Sequence, residues 1–228
     1  MKIESNSYPK SEGLMHRKSG PFIFAVVCAL IGAHAHALPS DIEQEIRIEA
    51  ERATLDQKQG ITTYTGDVQF SQGSMSINAD TVIFHFNTET QKIDKIHATG
   101  SPVLYQLQPT EDKGLMRIEA TEVTATFDGN PQRRISTINA RGVPALYQQQ
   151  PTPDKGIISA RAQSITYTPS SQSLALEEHA SLEQDGASMS GTRIVYDLNK
   201  EVMQAAGGES EDRKRIEIII PPQTIQEN

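Results

Sequence analysis

The chain has 228 residues, with 21 Lys and Arg against 29 Asp and Glu for a formal charge of −8, a single cysteine and no tryptophan. This acidic balance lacks the basic face that binders of phosphate chains need, so nucleic acid is not an expected partner. One cysteine excludes an internal disulfide, and an aromatic content of 5% leaves Ile, Val, Leu and Ala to fill any core.

The first predicted element is an export signal. Arg17 and Lys18 supply positive charge, Phe22 to Gly32 form a short apolar run, and Ala33, Ala35 and Ala37 offer small residues to a signal peptidase. We expect residues 1–37 to be removed after Ala37, leaving residues 38–228 as one domain. The apolar run is shorter than the ~20 residues a spanning helix takes. Cys28 leaves with it, because Val27 stands where lipoprotein processing needs a small residue. The remainder holds 17 basic and 27 acidic residues, a charge of −10.

From Leu38 onward no long helical period occurs, and short runs rich in Ile, Val, Thr, Phe and Tyr alternate with period two, the pattern of half-buried strands. The segment Ala98 to Gly114 recurs as Ala140 to Gly156 at an offset of 42 residues. A weaker signature, a small residue followed by an aliphatic and then usually a bulky apolar position, reads Ala50/Ala53/Leu55, Ala79/Val82/Phe84, Ala120/Val123/Ala125, Ala162/Ile165/Tyr167 and Gly191/Ile194/Tyr196. Turns are predicted at Gln59-Gly60, Asn87-Thr88, Asp128 to Pro131, Thr168 to Ser170 and Leu198-Asn199.

In each unit the apolar parity changes beside the small residue: Ile77 and Ala79 give way to Val82 and Phe84, and Ile118 and Ala120 to Val123 and Ala125. Side chains change face at every step of a strand, so a parity change at the same place in each unit requires a bulge or corner there. Repeated corners fold an antiparallel meander into two facing layers, a long twisted roll that splays along one side. A parallel β-helix is the alternative from the same repeat.

The Ile46 to Leu55 opening, Tyr64 to Gly73, Ile77 to Asp80, Gly191 to Tyr196 and Val202 to Ala205 resemble the LptA/OstA family of lipopolysaccharide-transport proteins. The resemblance covers nearly all of residues 38–228 and holds one repeat more than the shorter members, near residues 116–156. It implies an all-β, elongated, twisted, V-shaped antiparallel β-jellyroll, here of about five units, in the periplasm of a Gram-negative cell. It implies binding of lipopolysaccharide through lipid A and its transfer from an inner-membrane LptC-like protein to an outer-membrane LptD-like translocon. Members stack end to end through their terminal strands. The family's lipid-contacting opening strand falls on Ile46 and Ile48, and its aromatic-rich strand on Leu104 and Tyr105.

As groove candidates we take Ile46, Ile48, Phe70, Ile77, Phe84, Phe86, Leu104, Phe127, Leu146 and Tyr167, each of which would equally serve an ordinary core. The thin aromatic supply fits an interior left partly open as a trough from end to end. Edge candidates are Ile46 and Ile48 at one terminus and Ile216, Ile218 and Ile220 at the other, because an unpaired strand edge invites another strand. An uncleaved leader would instead favour an adaptor at one membrane.

Catalytic signals are absent from the sequence. His85, His97 and His179 fall in different units without metal-ligand spacing, and no nucleophile elbow, phosphate loop or dinucleotide fingerprint occurs. No enzyme activity, cofactor or metal is therefore expected. A glycan-active enzyme remains the third class, because Glu177, Glu178, Asp185 and Asp197 could pair across a cleft.

Overall fold

The computed structural model describes residues 44–90, 92–108, 114–129, 134–152, 155–208 and 215–222. The expected leader and its cleavage point, Asn130 and Pro131 of one turn, and Glu209 to Lys214 before the last strand lie outside them. Among the described residues twelve strands follow in order: β1 (Ile46–Glu49), β2 (Arg52–Asp56), β3 (Ile61–Gln72), β4 (Met75–Phe86), β5 (Ile93–Leu107), β6 (Met116–Phe127), β7 (Ile135–Gln149), β8 (Ile158–Thr168), β9 (Ser173–Gln184), β10 (Ala187–Asp197), β11 (Val202–Ala206) and β12 (Glu217–Ile219). From β3 to β11 each strand pairs with the next, all antiparallel. This excludes the parallel β-helix. The fold is all-β, an antiparallel jellyroll, as the resemblance implies.

The expected corners are present as a row of register shifts that crosses the whole sheet. They fall between Asn78 and Thr81 on β4, Glu119 and Glu122 on β6, Arg161 and Ser164 on β8, and Gly191 and Arg193 on β10. At Ala50 the break is complete: β1 and β2 pair with separate halves of β3. The odd-numbered strands carry the extra residues, with Gly100 to Pro102 opposite Thr121 alone and Gly142 to Pro144 opposite Gln163 alone. On β3 the surplus is Gly66 and Asp67, at φ +87° and +42°, left-handed backbone that glycine adopts without strain.

Each long strand thus contributes one half to leaf A (β1, β12 and the halves next to the 73–74, 108–115, 150–157 and 185–186 connections) and one half to leaf B (β2, β11 and the remaining halves). The leaves face each other across a single apolar core. Phe70 of leaf A lies 5.4 Å from Phe84 of leaf B between ring centroids, and Tyr147 of leaf A lies 6.2 Å from Tyr167 of leaf B. The parity change at the corner is what lets Met75, Ile77 and Ala79, then Val82 and Phe84, all point into that core from one strand.

Candidate functional site

The interior is built from ladder rows in which each side chain stands opposite the next strand's counterpart. On leaf A one row runs Ile48, Phe70, Ile77, Tyr105, Ile118 and Tyr147 from β1 to β7. It continues through Ala160, Leu182 and Met189 to Ile218 on β12. The facing row on leaf B begins Ala53, Tyr64, Val82 and Ala98 and ends Leu176, Ile194 and Ala205. One apolar line therefore reaches from the first strand to the last on each leaf, with no charged residue buried along it among the described residues.

Through the middle these rows are packed shut. Phe70, Ile77 and Phe84 are 1% exposed, and Tyr105 and Tyr147 are 0% exposed. This corrects the expectation of an open trough: Ile, Val and Ala at close ladder spacing fill the space that few aromatics were expected to leave vacant. Two openings lie at the ends, and others lie along the corners of β7 to β10. A cavity of about 500 Å³ at the β2–β3 end is lined by Leu55, Asp56, Gln57, Gly60, Thr62 and Phe86. A second, of about 200 Å³ at the β9–β12 end, is lined by residues that include Leu182, Met189, Met203 and Ile218.

Polar groups inside are few and matched to neutral forms. The Tyr147 hydroxyl donates to Gln149 Oε1 at 2.5 Å. Burial, with Tyr167 adding to it, pushes the Tyr147 hydroxyl far above the ordinary tyrosine value, and burial also raises Tyr167. His85, on the partly exposed side of β4, is pushed down by desolvation, then by Lys95 and His97. His97 Nδ1 lies 2.9 Å from Thr124 Oγ1, a cross-strand contact between β5 and β6. Of the carboxylates weighed for a glycosidase pair, Glu177 bridges Arg193 on the neighbouring strand and Asp197 bonds Lys200 in its own turn. Among the described residues no group of three or more His, Cys, Asp or Glu could hold a metal ion.

Of the groove candidates, Phe70, Ile77, Phe84 and Tyr167 are buried in the interior, and Ile48, Phe86 and Phe127 are half-buried against it. Ile46 is 39% exposed beside Gln72 on the edge. Leu104 and Leu146 correct the sequence expectation. Both lie on the outer face, opposite Glu119 on either side of β6, while their neighbours Tyr105 and Tyr147 point inward. Counting by twos from Ala98 reaches Leu104, but the three-residue corner at Gly100 to Pro102 shifts the parity by one. Tyr147 was the missed residue, and its signal was the repeated Leu-Tyr pair at 104–105 and 146–147.

Among the described residues, both ends of the sheet present exposed apolar side chains. Ile46 and Leu55 at the N-terminal edge, and Val202, Ile216, Ile218 and Ile220 at the C-terminal edge, are large apolar residues between 39% and 74% exposed. Ile218 pairs Met189 while Ile216 sits near Gly191, so β12 extends the inner face of leaf A.

The model of the family described as LptA/(LptD N-terminal domain) LPS transport protein matches residues 47–114 and 110–202. The lipopolysaccharide export system protein LptH of Pseudomonas aeruginosa is 31% identical over 206 residues, 89% of this chain and 93% of that protein. The lipopolysaccharide export system protein LptA of Haemophilus influenzae is 23% identical over 92% of this chain and 95% of that protein. The crystal structure of the Pseudomonas LptH, a periplasmic component of the lipopolysaccharide transport device, covers 81% of this chain and all of that one at 26% identity and a TM-score of 0.42. The family match spans the row of corners and most of both apolar leaves, and the chain belongs to the LptA/LptD N-terminal domain family of lipopolysaccharide transport proteins.

Proposed function

We propose that the chain works in the periplasm as a non-enzymatic carrier, holding lipopolysaccharide by its lipid A acyl chains between the two leaves. It passes the lipid from an inner-membrane extraction complex, through an LptC-like protein, toward an outer-membrane LptD-like translocon for outer-membrane assembly. Copies stack end to end through β1 and β12, so that the inner rows of successive chains align. The observation that carries this reading is the unbroken apolar row from Ile48 to Ile218, with exposed apolar side chains among the described residues at both of its ends.

The energetics favour tails over charge. Each methylene removed from water contributes about 0.8 kcal/mol, so ten contribute on the order of 8 kcal/mol. Repulsion between an exposed carboxylate and a lipid phosphate a few ångströms apart is only ~1 kcal/mol in water and is screened by salt. Loading parts the leaves and replaces contacts between buried side chains with acyl contacts, apolar for apolar. In living cells, a photo-crosslinking residue at Phe84 is expected to yield a lipid adduct by mass spectrometry, whereas Thr81 near the corner is not. Equal recovery at both positions, or none at Phe84, would overturn the reading.

A further inference from the structure

The two leaves face each other across an apolar core that runs out toward their free rims. Acyl chains can replace such contacts one for one, because dispersion and burial do not distinguish a leucine from a lipid tail. Polar bonds across the seam between these rims are different, since no part of an acyl chain substitutes for them. Two such bonds stand together near the C-terminal end. Lys155 Nζ, in the connection from β7 to β8 on the rim of leaf A, pairs with Glu201 Oε1, in the turn from β10 to β11 on the rim of leaf B. The hydroxyl of Tyr196 on leaf B donates to Gln184 Oε1 on leaf A at 3.3 Å.

These groups form one cluster. Tyr196 is pushed above the ordinary tyrosine value first by desolvation, then by Glu201, with Lys155 opposing and Asp185 adding. Its hydroxyl therefore stays protonated and able to donate. Tyr196 shares a ladder row, through Leu174, with Tyr167, whose ring meets that of Tyr147 across the leaves. Neither member of the ion pair is buried, at 36% and 59% side-chain exposure, so the bridge adds little to the global fold and acts on local opening of the rim.

We propose that Lys155–Glu201 and Tyr196–Gln184 form a polar clasp that holds the seam shut near the C-terminal end and must release before an acyl chain enters sideways between the leaves. The clasp rests on the lipid-carrier reading for its purpose, but its effect on the seam does not. The test uses Lys155→Glu, Glu201→Lys and the double exchange of both, with Tyr196→Phe removing the second bond. Spin labels at Leu115→Cys on the rim of leaf A and Ser171→Cys on the rim of leaf B, in a Cys28→Ser background, report the width of the seam by double electron–electron resonance without lipid. Uptake of fluorescently labelled lipopolysaccharide reports loading.

Each single reversal is expected to shift the label distances outward and to speed loading about fivefold, and Tyr196→Phe to do so by about twofold. The double exchange restores the parent behaviour, which a general loss of folding would not permit. Label distances and loading rates in the single reversals equal to the parent's would overturn the clasp. A parent that takes up no lipid, combined with reversals that still widen the seam, would support the clasp and sink the carrier reading.

Discussion

Tyr147 shows how much one side chain inside the roll depends on remaining neutral. Its raised value in the folded state means that the folded chain retains a proton which the unfolded chain loses near the ordinary value of about 10. The sign follows: this contribution to stability is fully present below pH ~10 and is lost as the pH rises beyond it, by up to about 1.4 kcal/mol per pH unit for each such group. Tyr167 adds in the same direction. We expect the urea midpoint to fall steeply between pH ~9.5 and ~11, and Tyr147→Phe with Tyr167→Phe to flatten that fall. At neutral pH the same pair of changes lowers stability by about 1–3 kcal/mol, because Gln149, 4% exposed, loses the hydroxyl it accepts from. An unaltered alkaline slope in the double variant would show that other groups control it. At this scale the sequence was readable wherever parity held, as at Phe70, Ile77, Phe84 and Tyr167. It misled at Leu104 and Leu146, because the number of residues in a corner is a backbone property that the apolar pattern does not encode.

At the scale of elements the corners were legible, since a parity change beside Ala79, Ala120, Ala162 and Gly191 leaves no other way to keep both halves of a strand facing inward. The turns predicted at Gln59-Gly60, Asn87-Thr88, Thr168 to Ser170 and Leu198-Asn199 fall at strand connections, where Gly, Asn and Pro punctuate the chain, whereas the short connections at 73–74 and 185–186 were not anticipated. What the pattern did not reveal is how the terminal strands pair. β12 lies against β10, beside β11 on the same strand, so among the described residues each end of the sheet carries two short strands, one on each leaf. That arrangement leaves the outer edge of β12 as an exposed strand edge with Ile216, Ile218 and Ile220 in line with the leaf A interior. Ile218→Pro removes one backbone donor and fits poorly within a strand. Because β12 spans only three residues and is exposed throughout, the monomer is expected to keep its thermal midpoint while end-to-end association falls at least tenfold. Sedimentation velocity separates these outcomes, and an oligomer distribution matching the parent's would remove β12 from the contact.

For the whole molecule, charge and apolar ends act in opposition. Residues 38–228 carry −10, so two copies approaching end to end repel each other, while the exposed Ile and Leu side chains at both edges gain by leaving water. The interior row and the exposed apolar residues of the described edges could be anticipated from alternation and β-prone termini. The closed interior could not, because packing density is a property of all the strands together and no single repeat contains it. The opposition predicts the response of association to salt. Raising ionic strength from about 0.01 M to about 0.15 M shortens the screening length from ~30 Å to ~8 Å, which removes most of the repulsion and leaves the apolar contact intact. Association by backbone pairing and apolar burial should therefore strengthen with salt, and sedimentation at a fixed protein concentration should show larger species. If the ends were joined by ion pairs, the same titration would dissociate them. The direction of that shift thus identifies which force joins one copy to the next.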